Sequence, residues 1–348
     1  MNDALSHLPE LLLPWYAENA RDLPWRHDRD PYHVWVSEIM LQQTRVEAVR
    51  GYYARFLAEF PDIAALAAAE ETHLLKLWEG LGYYSRARQL GRAARVIMTE
   101  HGGNFPRDYA AIRALPGIGD YTAGAVSSIC FGQPTPAIDG NVLRVVSRIL
   151  GDDRCVDLPA VKAAYRDALA EVYPRDRAGD FTQALMELGA TVCIPRGEPR
   201  CADCPAAKIC AAHRQDNPSA YPVRAEKRAR RCESRTVLLL WAEDEMGHSR
   251  LALNRRPPTG LLAGLWELPN VQGTLSADEA MALAEEWGVS PIALTDTYPR
   301  THIFTHIEWH MTVHTIRCAA AVPPFVWVSE DERNEAYALP SAFQICLK

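Results

Sequence analysis

The sequence LPGIGDYTAGAVSSICFGQ occupies Leu115–Gln133, and segments of helical character lie on both sides of its first two glycines. Gly117 and Gly119 flank a β-branched isoleucine, a pattern that favours a tight turn and predicts a helix–hairpin–helix over about residues 108–131. The N–H groups of this turn would lie at the positive end of the second helix, where they suit a phosphate group. An ordinary connection between two helices is the alternative interpretation.

The 348 residues divide by texture into two domains. Residues 1–213 are rich in alanine, leucine and arginine, with apolar residues at helical spacing between short Pro and Gly breaks, so we expect an all-α domain. Residues 214–234 are polar, contain two prolines and carry a basic run, which predicts an interdomain linker. Residues 235–348 contain short β-branched and aromatic runs interrupted by a helix near 277–287, a pattern typical of a separate α+β domain.

The composition, 48% hydrophobic and 23% charged, is ordinary for a folded globular protein and excludes wholesale disorder. No apolar run approaches the ~20 residues that cross a bilayer, and the N-terminus lacks the basic start of a secretion signal, so we expect a cytoplasmic protein. The net charge of −7 is concentrated from Arg235 onward, where 14 acidic residues face 8 basic ones. The remaining sequence is near neutrality, which permits a local nucleic-acid-binding patch without demanding one.

Four of the nine cysteines lie close together, in the spacing C-x7-C-x2-C-x5-C. An odd number of cysteines in a chain without a secretion signal argues against a disulfide framework and for a metal site. Zinc and a [4Fe–4S] cluster both accept four thiolates, and the presence of only one tight C-x2-C pair favours the cluster. The four candidate ligands, in the loop 193–210, are Cys193, Cys201, Cys204 and Cys210.

Two acidic residues stand out by their settings. Glu38 lies among apolar neighbours at an expected helix start, with Ser37 as the N-cap, and Asp139 precedes a predicted helix over Val142–Leu150. A carboxyl group in apolar surroundings keeps its proton near neutral pH, whereas one at a helix start stays ionised. That division of roles suits the cleavage of a glycosidic bond. A surface acid and a simple helix cap are the alternative interpretations.

An arginine-rich stretch follows Tyr83 and Tyr84, and no acidic residue lies between Glu79 and Glu100. Aromatic rings beside an acid-free basic stretch suit a surface that grips a nucleic acid strand and stacks on or wedges between its bases. A solvated arginine face on one helix is the alternative interpretation.

Together these motifs resemble those of the helix–hairpin–helix DNA glycosylases, and most closely the MutY-type adenine DNA glycosylases. The matching strings span nearly all of residues 20–213 and are WVSEIMLQQTRV, LWEGLGYYSRAR, LPGIGDYTAGAVSSICFGQ, IDGNVLRV, GDFTQALMELGATVC and the four-cysteine loop. The resemblance implies a monomeric base-excision repair enzyme that removes adenine mispaired with 8-oxoguanine or guanine from double-stranded DNA. Such an enzyme would associate with the nucleoid when bound to DNA.

The resemblance also implies a role for each matched residue. Glu38 would be the general acid that protonates the adenine ring, and Asp139 would stabilise the oxocarbenium-like sugar. Tyr121 and Asn141 would support these two acids, and the four cysteines would hold a [4Fe–4S] cluster. The residues expected to contact DNA are Gln42, Tyr83, Arg86, Gly117, Gly119, Phe304, Thr305 and His306.

Related bifunctional enzymes use a lysine near the hairpin to attack the sugar and cleave the strand. The matching position here is Tyr121, and residues 115–130 contain no lysine, so we expect base removal without efficient strand cleavage. An endonuclease-III-like glycosylase acting on oxidised pyrimidines is the alternative enzyme. A catalytically silent lesion-binding protein is an alternative of another class.

The C-terminal residues resemble the Nudix-like domain of the same family, which recognises 8-oxoguanine opposite the adenine. The string GLWELP matches its characteristic strand, and the residues 304–306, Phe-Thr-His, match its Phe-Ser-His lesion-reading element. Met281 and Ala282 stand where a metal-dependent Nudix hydrolase needs Arg-Glu. Nucleotide hydrolysis is therefore the weakest of the hypotheses, and a reading role is expected.

Four histidines, at positions 302, 306, 310 and 314, recur at every fourth residue, which predicts one polar strand face, with a zinc site as the alternative. Two features depart from the family pattern. The first gap between the cysteines is one residue longer than usual. Asp120 stands in the hairpin where relatives often carry a basic or neutral residue, and we expect this acid to weaken the phosphate contact.

Overall fold

The computed structural model describes residues 3–226 and 229–347. They form two compact units, the first made of residues up to Ala68 together with Gln89–Glu226, and the second of Ala69–Arg88 together with the described residues from 229 onward. This division differs from the expected boundary at residues 214–234, because a segment of the N-terminal sequence belongs to the second unit and residues up to Glu226 pack with the first. Residues 227 and 228 of the expected linker lie outside the described residues.

The N-terminal two thirds of the described chain are helical, as the sequence predicts. The α-helices are α1 (Asp3–Ser6), α2 (Leu8–Asn19), α3 (Pro31–Leu41), α4 (Val46–Glu59), α5 (Ile63–Ala68), α6 (Glu71–Leu77), α7 (Ser85–Glu100), α8 (Tyr109–Ala114), α9 (Asp120–Phe131), α10 (Gly140–Leu150), α11 (Pro159–Ala170), α12 (Ala178–Thr191) and α13 (Ala211–Arg214). A core of buried side chains from α2, α10, α11 and α12 joins the helices of the first unit, and the cysteine loop packs against this core.

The expected hairpin joins α8 to α9. Gly117 has a φ of +77°, and a Cβ atom at this position would lie 2.5 Å from Cβ of Gln89, so both the backbone conformation and the packing require glycine. The N–H of Ile118 donates to the carbonyl of Leu115 at 3.1 Å and closes the turn. At the other end of α9, Gly132 adopts the left-handed conformation that terminates many helices.

Helix α3 begins earlier than the sequence pattern indicates. Its N-cap is Asp30, whose side chain accepts the N–H of Tyr32 at 2.8 Å. The prediction of Ser37 as the N-cap is therefore wrong: Ser37 lies inside the helix, where its hydroxyl donates to the carbonyl of Val34 at 2.8 Å. Glu38 consequently lies near the C-terminal end of α3, in a run of buried residues from Val34 to Met40.

The second unit contains a mixed β-sheet, which within residues 229–347 has seven strands. The strand order is β3-β2-β1-β6-β5, with β4 paired to β1 and β7 paired to β2, and the central pair β1–β6 is parallel. The elements are β1 (Arg231–Glu243), β2 (Ser249–Arg255), β3 (Trp266–Glu267), β4 (Asn270–Gln272), α14 (Ala277–Glu286), β5 (Pro291–Ile303), β6 (Ile307–Cys318), β7 (Val326–Val328), α15 (Glu330–Ala336) and α16 (Ser341–Gln344).

The two faces of this sheet bury alternate residues of β1, as the period of a strand requires. Val237 and Leu239 face a core that includes Trp309 and Phe343, the latter from α16. Leu238 and Leu240 face the opposite core, which includes residues of α14. Both faces are therefore covered by helix or loop, and the unit has a complete α+β core of its own. No helix of the described residues has the length and apolar character to cross a bilayer.

The four regularly spaced histidines do not share one strand, so that prediction is wrong. Residues 304–306 form the turn of the β5–β6 hairpin, which leaves His302 on β5, His306 in the turn, and His310 and His314 on β6. The side chain of His314 is buried and contacts the hydroxyl of Thr297 at 2.9 Å. Across the described residues, no three His, Cys, Asp or Glu side chains are arranged to hold a single metal ion.

Candidate active site

A cavity of about 540 Å³ lies in the first unit, between α3, α9, α10 and α12. The carboxyl-bearing residues singled out in the sequence, Glu38 and Asp139, both line it, although 100 residues separate them along the chain. Gln42, Tyr121 and Asn141 also line it. The structure thus brings together, around one cavity, every residue expected to act in catalysis.

The carboxyl group of Glu38 is almost completely buried, with 6% of the residue exposed. Burial raises its pKa to about 7, and the negative charge of Asp139 acts in the same direction. The hydroxyl of Tyr121 donates a hydrogen bond to Oε2 of Glu38 and opposes the shift, as Arg26 does more weakly. A carboxyl group with this pKa is about half protonated at neutral pH, so it is poised to give and to take a proton.

Asp139 is the N-cap of α10, as the helix-cap interpretation predicts. Its Oδ1 accepts the backbone N–H of Val142 at 2.7 Å, and its Oδ2 accepts the side-chain amide of Asn141 at 2.7 Å. Burial raises the pKa of Asp139, while these two hydrogen bonds favour the carboxylate and offset part of the rise. Asp139 is therefore held in one orientation by donors that stabilise its anionic form.

A chain of hydrogen bonds continues from Asn141 into the protein. Its Oδ1 accepts from Nη2 of Arg144 at 2.8 Å, and the same nitrogen donates to the carbonyl of Gly189 at 2.8 Å. Nε of Arg144 donates to the carbonyl of Cys193 at 2.7 Å. Gly189 allows α12 to approach this closely, because a Cβ there would lie 2.5 Å from Cβ of Asn141. The orientation of Asp139 thus depends on the packing of α10 against α12.

The cavity wall contains a buried charged cluster that the sequence analysis did not predict. Glu187 is 0% exposed and forms ion pairs with Nε of Arg21 at 2.6 Å and Nη2 of Arg26 at 2.7 Å. Burial opposes its ionisation, but the hydrogen bonds from both arginines hold its pKa below the usual value. The only sequence signal is a glutamate within the apolar run of α12; its partners lie more than 160 residues away, so spacing could not reveal them.

The hairpin carries the expected exposed glycines and an unexpected charge arrangement. Gly117 and Gly119 are exposed, and the space around a Cβ at Gly119 is open. Asp120, the first residue of α9, forms ion pairs with Arg113 and, at 3.3 Å, with Arg166. The hydrogen bond from Arg113 is the main reason why the pKa of Asp120 is lowered. Asp120 therefore forms ion pairs with two arginines that lie beside the turn expected to bind phosphate.

The four cysteines lie between the end of α12 and the start of α13. Burial is the main reason why the pKa values of Cys201, Cys204 and Cys210 are raised, and the charge of the nearby Cys193 adds to each rise. Burial raises the pKa of Cys204 to about 12, so its thiolate requires a positive partner. Nη1 of Arg148 donates to Sγ of Cys193 at 3.2 Å and places a positive charge beside that thiol. Four thiol groups in one loop are the donor set that an iron–sulfur cluster requires, although within residues 3–226 and 229–347 no three His, Cys, Asp or Glu side chains are arranged to hold a metal ion.

The other residues expected to contact DNA belong to the second unit. Tyr83 is 46% exposed, and its hydroxyl is hydrogen-bonded to that of Thr305 in the β5–β6 turn. Phe304 packs edge-on against Trp309, and His306 completes the turn. The guanidinium of Arg86 donates to the carbonyls of Leu81 and Gly82 at 3.1 Å, so its observed contacts support the turn that carries Tyr83.

Sequence comparison relates the chain to base excision repair proteins. Residues 36–168 match the HhH-GPD superfamily base excision DNA repair proteins, and residues 236–348 match the NUDIX domain. The chain is similar to the adenine DNA glycosylase of Mus musculus, at 37% identity over 92% of this chain and 73% of the relative. It is also similar to that of Schizosaccharomyces pombe, at 32% identity over 93% of this chain and 85% of the relative.

Structural comparison gives the same relationship for the helical part. A thermostable thymine-DNA glycosylase superposes with a TM-score of 0.55 and 29% identity, covering 62% of this chain and 98% of that protein. A trapped endonuclease III–DNA covalent intermediate superposes with a TM-score of 0.53 at 21% identity, covering 62% of this chain and 98% of that protein, and shares the fold. The described helical unit therefore has the endonuclease III fold.

Two substitutions should move the pKa of Glu38 in opposite directions. Tyr121→Phe removes the hydrogen bond that stabilises the carboxylate, so the pKa should rise above 7. Asp139→Asn removes a neighbouring negative charge while keeping a good helix cap, so the pKa should fall. The infrared band of the protonated carboxyl group, followed against pH and assigned with Glu38→Gln, measures both shifts. Shifts of the same sign in the two variants would contradict this electrostatic description.

Proposed function

The chain belongs to the adenine DNA glycosylase family and removes adenine from DNA in base excision repair, and we propose that Glu38 and Asp139 perform this reaction on adenine paired with 8-oxoguanine or guanine. The observation that carries the assignment is that both carboxyl groups line one cavity, with the pKa of Glu38 at about 7. The proposed enzyme acts as a monomer on double-stranded DNA. Its adenine must leave the base stack to reach such a cavity.

Glu38 is the proton donor in this mechanism. Adenine is a poor leaving group until a ring nitrogen is protonated, so the reaction needs an acid that retains its proton near neutral pH. Burial among apolar side chains gives Glu38 that property, and Tyr121 fixes the direction of its carboxyl group. After the base departs, the glutamate anion can accept a proton from the attacking water.

Asp139 supplies the negative charge that stabilises the sugar in this mechanism. As the glycosidic bond breaks, positive charge develops on the sugar ring, and an oriented carboxylate lowers the energy of that state. The backbone of Val142 and the amide of Asn141 hold the Asp139 oxygens in place before reaction, so little reorganisation is needed. Tyr121 and Asn141 are supporting residues in this proposal.

Strand cleavage is not part of the proposed reaction. A glycosylase that also cleaves the strand forms a Schiff base through an amine nucleophile, and residues 115–130 contain no lysine. The residue at the corresponding position, Tyr121, uses its hydroxyl on Glu38. The product is therefore an abasic site in an intact strand.

The second unit recognises the base opposite the adenine in this proposal. Tyr83 and the turn residues Phe304, Thr305 and His306 line a cavity of about 610 Å³ and offer hydroxyl groups and aromatic faces to a purine. Met281 and Ala282 replace the charged residues that Nudix hydrolysis requires, which favours reading over hydrolysis. In the first unit, Gln42 and the hairpin glycines 117 and 119 are the proposed contacts to DNA.

Cys193, Cys201, Cys204 and Cys210 are proposed to hold a [4Fe–4S] cluster. A bound cluster would supply positive iron centres that neutralise four thiolates and fix the loop 193–210 against the helical core. Arg148 and the carbonyl of Cys193, which accepts from Arg144, connect this loop to α10.

A strand-cleavage assay tests the proposed reaction. Duplexes containing adenine opposite 8-oxoguanine should yield a cut adenine strand only after alkali, whereas a duplex containing thymine glycol should remain intact. Glu38→Gln should retain binding but lose base release by at least about 10²-fold, the contribution of a general acid. Single-turnover kinetics on labelled duplexes measure the loss. Glu100→Gln, an exposed glutamate at the end of α7, is the matched control and should keep full activity.

Three results would argue against the proposal. Alkali-independent cleavage at thymine glycol would indicate an endonuclease-III-like enzyme. Binding to the mispair without base release by the unmodified protein would indicate a catalytically silent binding protein. Substantial base release by Glu38→Gln would remove the general-acid assignment.

The charge at Asp120 should limit the affinity for DNA. Asp120→Asn releases Arg113 and Arg166 and removes a negative charge beside the hairpin, so duplex DNA should bind more tightly. The logarithmic slope of affinity against salt should steepen by about 0.9 for each additional phosphate contact. Fluorescence anisotropy at several salt concentrations measures both. Asp167→Asn, which removes the same charge 3.7 Å from Arg166, is the control, and an equal gain in that variant would contradict a specific role for Asp120.

The proposed [4Fe–4S] cluster predicts how much iron and sulfide the protein contains. Protein purified without oxygen should contain about four iron atoms and four acid-labile sulfides per chain. Cys201→Ala should lower both contents, because it removes one of the four ligands. Cys232→Ala removes an isolated exposed thiol and should leave them unchanged. Stoichiometric zinc without sulfide would contradict the assignment.

A further inference from the structure

The segment Ala69–Arg88 lies within the sequence matched to the helical repair superfamily, yet it packs as part of the second unit. It contains α6 and the turn that ends in Tyr83. Several of the polar contacts that hold this segment are made by its side chains to backbone groups of the C-terminal sequence. Two such side chains, Lys76 and Glu79, lie one helical turn apart and form an ion pair at 2.6 Å.

This ion pair is mostly buried and fully engaged in hydrogen bonds. The Lys76 and Glu79 side chains are only 16% and 17% exposed. Nζ of Lys76 also donates to the carbonyl of Arg333 at 3.0 Å and to that of Tyr337 at 3.2 Å. Oε1 of Glu79 accepts the N–H of Leu339 at 2.6 Å. Each of these bonds has a charged partner, which makes it stronger than a neutral one.

The backbone groups that the pair engages belong to one short stretch. Arg333 lies in the last turn of α15, and Tyr337 is its C-cap, so Lys76 caps the carbonyl end of that helix. Glu79 fixes Leu339 two residues further on. The next residues, Pro340 and Ser341, line the 610 Å³ cavity of the proposed recognition site. Neither Lys76 nor Glu79 lines that cavity themselves.

The segment Ala69–Arg88 also contains Tyr83, which lines the same cavity. The turn is held by Nε1 of Trp78, which donates to the carbonyl of Gly82 at 3.0 Å. Tyr83 itself has a φ of +48°, a left-handed conformation that an ordinary residue adopts only where its surroundings enforce it. Its hydroxyl meets that of Thr305. The position of the Tyr83 hydroxyl therefore depends on how the segment Ala69–Arg88 packs against the C-terminal sequence.

We propose that Lys76 and Glu79 are positioning residues for recognition of the base opposite adenine, because they set the spacing between Tyr83 and the turn that contains Thr305. This inference rests on the proposed function. It predicts that discrimination between 8-oxoguanine and guanine depends on a buried ion pair that touches neither base. Release of adenine, which occurs in the cavity of the first unit, does not depend on this pair.

The test compares Lys76→Met with the unmodified protein on two duplexes, with adenine opposite 8-oxoguanine or opposite guanine. Affinities are measured in the Glu38→Gln background, and base release is measured with Glu38 intact. The preference in affinity for the 8-oxoguanine duplex should fall about five- to tenfold, the effect of one well-placed hydrogen bond. Single-turnover release from the guanine duplex should change by less than about twofold.

Two further variants separate positioning from general stability. Lys76→Arg can still pair with Glu79 and donate to the two carbonyls, so it should restore most of the preference. Glu70→Gln removes an exposed charge of the same segment, and the Glu70 side chain makes no cap hydrogen bond to α6. An exposed charge of this kind contributes little, so this control should keep the full preference.

The outcomes distinguish the inference from the function on which it rests. If the unmodified protein shows no preference for 8-oxoguanine, the proposed recognition function and this inference both fail. If the unmodified protein shows the preference and Lys76→Met keeps it, the inference alone fails. Equal losses on both duplexes, or no rescue by Lys76→Arg, would make the pair merely structural and would also overturn the inference.

Discussion

The burial of one carboxyl group, that of Glu38, is the constraint on which the helical unit depends. An exposed glutamate would be ionised at neutral pH, whereas this one has a pKa of about 7. As the pH rises from 4.5 to about 7, the unfolded chain loses this proton while the folded chain retains it, so the folded protein loses stability over that range, by roughly 3 kcal/mol in total once the pH is above 7. The packing of α3 among its neighbours offsets that cost, since Trp35, Val36 and Ile39 around Glu38 are all buried.

The cavities of the two units differ in the chemistry of the side chains that line them. The helical unit surrounds its cavity with ionisable groups, each restrained by a partner: Tyr121 on Glu38, Asn141 on Asp139 and two arginines on Glu187. The second unit offers mainly hydroxyl groups, aromatic faces and backbone around its own cavity. In the proposed function, charge is thus concentrated at the cavity where the glycosidic bond would break, and neutral groups prevail at the cavity that would recognise the opposite base.

Local signals in the sequence predicted local structure well. The glycines at 117 and 119 predicted the hairpin, and the setting of Asp139 predicted a helix cap, because both depend on residues a few positions apart. Sequence patterns did not predict the structure correctly where residues far apart in the chain determine it. Ser37 resembles a cap, but Asp30 and Pro31 start the helix earlier. The partners of Glu187 and the attachment of residues 69–88 to the second unit are set by tertiary packing, which no spacing in the chain encodes.

Gly189 shows how far the influence of a small residue extends. Its missing side chain lets α12 lie against Asn141, and its carbonyl receives the guanidinium that also orients this asparagine. Any larger residue there must displace Asn141, and with it the carboxylate that Asn141 holds. A larger residue at this helix position would therefore disturb the cavity as directly as a change in one of its lining residues, although Gly189 itself is not among the residues that line it.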